Sequence, residues 1–427
     1  MDKNRKTAYL ALMDVEEKQS YSNLALNSRI EAGRPESPAF VREMVYGVLE
    51  NKIYLDYIIG RFVKTPVSGM KSSDRTVLRL GVYQMKFLDG VADYAAVNES
   101  VELAKKFCRG REGFINGVLR SLQRAGKEVE LPDRPVDEVR YLSVKYSYEP
   151  WIIELWLAQY DPVFAEELLA AGNRTPDLAV RVNFLKISRK DLKQRIVDAG
   201  YRAEDSLLCE AALRVEGTGL LGGALYESGL FSVQDESSML AVDMLAPLPG
   251  ETVMDVCAAP GGKALYIAEK MQNRGKVDAR DIYEKKLSII NREAERLGIS
   301  IVATRAWDAA GADSSMAEKA DRVLVDAPCS GLGVIRRKPE IKYKKGAEIG
   351  GLPEKQLAIL SASSKYLKPG GVLVYSTCTV SPRENQEVVR DFLKSNPAFV
   401  KEEERQLLPN VDDTDGFYVC RMKRAAV

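Results

Sequence analysis

A chain of 427 residues, 45% hydrophobic and 29% charged, exceeds what one hydrophobic core usually supports, so two or three domains are expected and a disordered or fibrous protein is excluded. The net charge of +1 does not by itself advertise a nucleic-acid partner. Histidine is absent and the six cysteines form no C-x-x-C pair, which excludes His-based triads and His-ligated metals and leaves no expected metal site or disulfide framework.

The opening M-D-K-N-R-K-T-A-Y-L is too charged for a secretory signal. No apolar run approaches the roughly twenty residues needed to cross a bilayer, so no membrane partner and a cytoplasmic enzyme are expected. From Arg5 to about Leu122, apolar positions recur at helical spacing, as in A-Y-L-A-L-M-D-V and F-V-R-E-M-V-Y-G-V-L-E, and predict an all-helical domain. Asn98 reads as the N-cap of a helix running to Lys106. Residues 1–120 carry 19 Lys and Arg against 15 Asp and Glu, mild support for RNA contact.

The pattern lapses into a linker at Gly126 to Pro135. Two helical patterns follow, Arg140 to Ser147 and Pro150 to Tyr160, with Trp151 and Trp156 read as core. Leu178 to Leu185 reads as a strand and Ser188 to Ala199 as a helix capped by Ser188, within a small α/β module.

Beyond Phe231 the reading becomes regular. Strands at Val253 to Cys257, Lys276 to Ile282, Ser300 to Thr304, Arg322 to Asp326 and Val372 to Ser376 alternate with helices at Ala264 to Met271, Glu284 to Leu297, Pro353 to Leu367 and Pro382 to Lys394. That alternation predicts a mostly parallel sheet covered on both faces, with the ligand at the carboxyl ends of its strands. Phe399 to Glu403 and Gly416 to Met422 predict an antiparallel hairpin at the edge.

Three motifs fall at those strand ends. Thr252 to Lys263, T-V-M-D-V-C-A-A-P-G-G-K, runs from a buried strand through a Pro-Gly-Gly turn into a helix, the arrangement of a nucleotide-cofactor loop. Asp281 follows in the next strand-like run, where a doubly wound fold places a ribose-binding carboxylate. Cys329 in D-A-P-C-S-G and Cys378 in S-T-C-T follow adjacent strands, so a parallel sheet brings both thiols to one mouth as candidate nucleophiles. Cys108, Cys209 and Cys420 are assigned to packing. Arg336, Arg337, Lys338, Lys342, Lys344 and Lys345 follow the first cysteine loop and read as a phosphate clamp.

These residues resemble the RNA cytosine carbon-5 methyltransferases that use S-adenosylmethionine, the Nol/Nop/Sun group. The resemblance lies in D-V-C-A-A-P-G-G-K, D-A-P-C-S-G-L-G-V-I-R-R-K-P-E, Y-S-T-C-T followed by E-N-Q-E, and the closing D-G-F-Y. The N-terminal region is similar to the NusB-like domain of the bacterial small-subunit rRNA branch through Y-S-N-L-A-L-N, R-L-G-V-Y-Q, A-A-V-N-E-S-V and F-I-N-G-V-L-R.

The resemblance implies an α/β fold with three parts: an all-helical NusB-like RNA-binding domain at 1–127, linker helices and a small α/β module at 128–230, and a Rossmann-like methyltransferase domain at 231–427. It implies Cys378 as nucleophile and Cys329 as the thiol that helps release product. Cys257, Ala258, Ala259, Pro260, Gly261, Gly262 and Lys263 would form the cofactor loop. Asp281 would hold the ribose, Asp308 would contact adenine, and Asp326 would stand beside the cytosine ring and the cofactor. The implied partner of this monomer is small-subunit rRNA, with cytosine 967 of 16S rRNA as target, unpaired or flipped out.

Ala264 stands where members often have Thr, and Arg280 and Asn410 where His is frequent. Two other readings use the same residues: a DNA-type cytosine methyltransferase with Cys329 as nucleophile, and a ribosome-assembly factor that binds RNA without chemistry. A nicotinamide dehydrogenase is weaker still, because A-P-G-G is not G-x-G-x-x-G.

Overall fold

Apolar side chains at helical spacing near the start of the chain fold into helices whose inward faces make one core. The computed structural model describes every residue except Gln19, Lys127, Thr218 and Val427. The chain divides into two units, Met1–Asn173 with Ile335–Gly346, and Arg174–Val334 with Ala347–Val427.

The first unit contains helices Lys3–Lys18, Ser22–Gly33, Pro38–Glu50, Lys52–Gly60, Ser72–Phe87, Asp93–Phe107 and Glu112–Ala125, followed by Glu138–Tyr146, Pro150–Gln159 and Pro162–Ala171. Leu12, Val45, Ile58, Leu80, Val97 and Leu119 meet in its core, each side chain contributing roughly 1.5–3 kcal/mol of burial. Arg79, on the most buried helix, is tied to Asp56 and Glu16 by three 2.7 Å hydrogen bonds. Asn98 is not an N-cap: its helix begins at Asp93 behind Ala92, with no side-chain cap. Trp156 is core at 2% exposure. Trp151 is half-buried and donates to the carbonyl of Lys344.

The basic segment after the first cysteine loop belongs to this helical unit. Lys342 is 1% exposed, with its ammonium on the carbonyls of Glu50 and Tyr146 at 2.9 and 3.1 Å. Glu340 accepts from the Ser22 amide and hydroxyl, and Tyr343 accepts from the Lys52 amide and donates to the Leu49 carbonyl. The expected phosphate clamp is therefore corrected at Lys342: its charge is spent on helix-end carbonyls and is closed to a phosphate.

In the second unit, strands β1 (Leu178–Val182), β2 (Arg202–Asp205), β3 (Ala212–Glu216) and β4 (Phe231–Val233) form an antiparallel sheet ordered β2-β3-β1-β4. Ser188 caps its helix Arg189–Asp198 by accepting from the Asp191 amide. The larger sheet contains β5 (Thr252–Asp255), β6 (Lys276–Asp281), β7 (Val302–Ala306), β8 (Ala320–Asp326), β9 (Leu367–Thr377), β10 (Phe399–Leu407) and β11 (Phe417–Arg424), in the order β10-β11-β9-β8-β5-β6-β7. Neighbours from β9 to β7 are parallel, and β10 and β11 make the antiparallel hairpin at the edge.

The chain builds β5, β6 and β7 outward on one side, then places β8 and β9 on the other side of β5. The strand order reverses between β5 and β8, and such switch points open a crevice at the carboxyl ends of the strands. Among the described residues, no helix is long and apolar enough to cross a membrane, and no group of three or more His, Cys, Asp or Glu could hold a metal ion.

Candidate active site

Val253 and Met254 are fully buried in β5, and the chain leaves that strand at the switch point through Cys257 to Gly261. Gly261 sits at φ +111°, where a β-carbon would come within 2.9 Å of Ile290, so glycine is required by both conformation and space. Helix Gly262–Lys270 begins there, with its first amides at the loop. Asp281, at the end of β6, accepts from the Ala259 amide at 3.2 Å and from Tyr283 at 2.9 Å. The loop and the carboxylate expected to serve one ligand are thus directly bonded.

The parallel register of β8 and β9 pairs Asp326 with Ser376, and the Ser376 hydroxyl donates to the Asp326 carboxylate at 2.8 Å. Lys263 donates to the other carboxylate oxygen at 2.7 Å. Burial disfavours the Lys263 ammonium, but the Asp326 charge and hydrogen bond outweigh it and the pKa is raised. Cys329 lies three residues past β8 and Cys378 one past β9, and their sulfur atoms are 3.2 Å apart. The hydrogen bond to Cys378, then burial, then the charges of Cys378, Glu384 and Asp326, hold the Cys329 thiol well above the usual range.

Gly333 fixes the Cys378 end of this pair. Its amide donates to the Cys378 carbonyl at 3.0 Å and its carbonyl accepts from Gly416 at 2.8 Å. A β-carbon at Gly333 would lie 1.8 Å from the Gly416 oxygen, which no adjustment of a side chain relieves.

Of the residues expected at the site, Asp326, Lys263, Cys329 and Cys378 come together, and Asp281 joins the 257–263 loop. Asp308 is an exposed residue two positions beyond β7, with its carboxylate on the amide of Ala310 in its own turn, and the amide of the preceding Trp307 donates to the Asp281 carbonyl at 3.0 Å. Cys108, Cys209 and Cys420 are buried, as packing residues are.

Sequence reasoning missed several supporting groups. Arg181 on β1, fully buried, makes two hydrogen bonds to Glu269 at 2.8 and 3.0 Å and one to the Gly262 carbonyl at 2.7 Å, and so braces both ends of the cofactor-loop helix. Gln234 accepts from the same guanidinium, which turns its amide nitrogen away without a partner. Asp255, at the end of β5, is 1% exposed with neither oxygen hydrogen-bonded through its side chain. Burial, then the Asp326 charge, raise its pKa to about 7 against the pull of Lys263. Asp255 lies inside the Thr252 to Lys263 motif, whereas Arg181 and Gln234 lie outside every motif and carry no local signal.

Residues 242–423 match the family described as 16S rRNA methyltransferase RsmB/F, residues 2–124 the NusB family, and residues 148–220 the ferredoxin-like domain of the RsmF/B-like methyltransferases. The probable ribosomal RNA small subunit methyltransferase B of Bacillus subtilis is 39% identical, over 98% of this chain and 98% of its own. The crystal structure of PH0851 superimposes with a TM-score of 0.85 at 25% identity, over 99% of this chain and 98% of its own. That of a methyltransferase homolog protein from Pyrococcus horikoshii gives 0.61 at 27% identity, over 67% and 99%. The chain belongs to the ribosomal RNA small subunit methyltransferase B family of S-adenosylmethionine-dependent enzymes.

Proposed function

We propose that the chain methylates carbon 5 of a cytosine in small-subunit rRNA, cytosine 967 being the target that its family branch implies, through a covalent bond between Cys378 and the base. The observation that carries this reading is the pair of thiols 3.2 Å apart at the ends of adjacent strands, next to a carboxylate held by Lys263 and Ser376.

The residues at the switch point fit S-adenosylmethionine. Its ribose hydroxyls suit Asp281, and its amino-acid tail carries both charges. Gln234 offers an orphaned donor and Asp255 orphaned acceptors for such a tail beside the first turn of helix Gly262–Lys270. Cys257 to Lys263 would line the loop, and Asp308 would reach the adenine from the turn that follows β7. When bound, this group supplies an electrophilic methyl.

Carbon 5 of cytosine is too electron-poor to take that methyl unaided. The Cys378 thiolate adds to carbon 6, forming a sulfur–carbon bond and shifting the ring electrons toward carbon 5. Asp326, oriented by Lys263 and Ser376, carries the proton in this step and donates it to ring nitrogen 3, which eases the negative charge that develops there. Once carbon 5 is methylated, water takes its proton, the sulfur–carbon bond breaks, the 5,6 double bond returns, and the Cys329 thiol assists by passing its proton to the departing Cys378 sulfur. The base must be unstacked to admit a thiolate at carbon 6.

Methylation of rRNA with a labelled methyl donor, followed by digestion to nucleosides, should place the label in 5-methylcytidine. Label in another nucleoside would overturn the reading.

A further inference from the structure

One carboxylate outside the expected site touches both cysteine loops. Glu384 precedes helix Gln386–Ser395 and is 2% exposed. It accepts from the main-chain amide of Ser330, next to Cys329, at 2.8 Å. It also accepts from Gln356 at 3.0 Å, and the same Gln356 amide group holds the Pro328 carbonyl at 3.0 Å, on the other side of Cys329. Its second oxygen lies 3.5 Å from the hydroxyl of Thr379, next to Cys378, and that hydroxyl is 2.8 Å from the Ser330 hydroxyl. The Glu384 carbonyl accepts from Tyr375, on the strand that leads to Cys378, at 2.6 Å.

We propose that Glu384 is a positioning residue for the thiol pair: one buried carboxylate, bonded to the neighbours of both cysteines, sets the spacing of the two sulfur atoms and gives the two sides of the pair different surroundings. The proposal rests on the two-thiol reading above.

A flexible pair of loop cysteines would sample many separations, and each hydrogen bond to a buried carboxylate removes some of that freedom. The charges are also unequal. Glu384 and Asp326 are among the groups that keep the proton on Cys329, whereas the Lys263 ammonium interacts with Cys378. Either sulfur can donate across the 3.2 Å contact, and this charge asymmetry favours the arrangement in which Cys329 holds the proton and donates toward Cys378. In that arrangement Cys378 is the thiol that attacks, and Cys329 keeps a proton to manage at release.

The test is residue-resolved alkylation of the full chain by iodoacetamide between pH 6 and 10, without RNA or cofactor, in wild type, Glu384→Gln and Glu384→Ala. In wild type, Cys378 should react at lower pH than Cys329. Glu384→Gln keeps the shape and removes the charge, and should move the Cys329 profile down by roughly one pH unit, the size of a lost neighbouring charge, with a smaller change at Cys378. Glu384→Ala should in addition make the two profiles converge as the bridge is lost.

A merely structural role would lower the melting temperature and shift both thiols together. That result, or a Cys329 profile unchanged in folded Glu384→Gln, would overturn the proposal. Neither outcome depends on methylation, so the role of Glu384 and the cytosine reading can fail separately.

Discussion

The sulfur atoms of Cys329 and Cys378 stand 3.2 Å apart although 49 positions separate the residues. The parallel pairing of β8 with β9 places the two loops side by side, and Gly333 and Glu384 fix each loop against the other. A cysteine that only filled space would need neither partner. The spacing is what the proposed mechanism needs, in which one thiol acts on a bond that the other has made.

Asp281 is bonded to the loop it is proposed to serve, through the Ala259 amide. Asp281→Ala should weaken S-adenosylmethionine binding by about 1–3 kcal/mol, the cost of leaving charge-assisted hydrogen-bond partners unmade. Isothermal calorimetry reads this directly. An affinity equal to wild type would remove Asp281 from the cofactor site.

Arg181 and Glu269 form a fully buried ion pair. Arg181→Met strands the Glu269 charge and should destabilise the second unit by about 3–5 kcal/mol, whereas Arg181→Met with Glu269→Leu should recover most of that loss, because a buried pair is often replaceable by apolar groups. Chemical denaturation compares the variants. A double variant no more stable than the single one would show that Arg181 acts through Gly262 alone.

Lys342 should make the helical unit pH-sensitive. Burial lowers its ammonium to about 7 against the opposing charge of Glu50, whereas an unfolded lysine keeps its proton to about 10.4. Between those values the unfolded chain binds the extra proton, so stability rises with pH. Below about 7 both states carry it and this dependence vanishes. Amide exchange in helix Pro38–Glu50, whose last carbonyl Lys342 holds, should slow in wild type relative to Lys342→Met as pH goes from 7 to 9.5, after correction for intrinsic exchange. A difference independent of pH would contradict the assignment.

The motifs were legible because their chemistry sits where a strand ends, and local sequence places those ends to within a residue or two: β8 ends at Asp326 as expected, β6 at Asp281 rather than Ile282, and β5 at Asp255 rather than Cys257. What was not legible depends on distant partners. Lys342 reads as one more surface cation, yet its acceptors are 292 and 196 positions away. Arg181 is 88 positions from Glu269 and carries no local signature. Helix Glu236–Leu245 was missed because it is buried along most of its length and so shows no polar face to set a period. Asn98 misled because a good capping residue also fits inside a helix that starts five residues earlier.

The central claim is that Cys378 adds to the base and Cys329 helps release it, and a substrate RNA carrying 5-fluorocytosine at the target tests it, because fluorine cannot leave carbon 5 as a proton does. Wild type and Cys329→Ala should both form a denaturation-resistant complex with this RNA, and Cys378→Ala should form none. On ordinary RNA, Cys329→Ala alone should accumulate the complex. An adduct in Cys378→Ala and none in Cys329→Ala would move the nucleophile to the Pro-Cys loop and contradict the account.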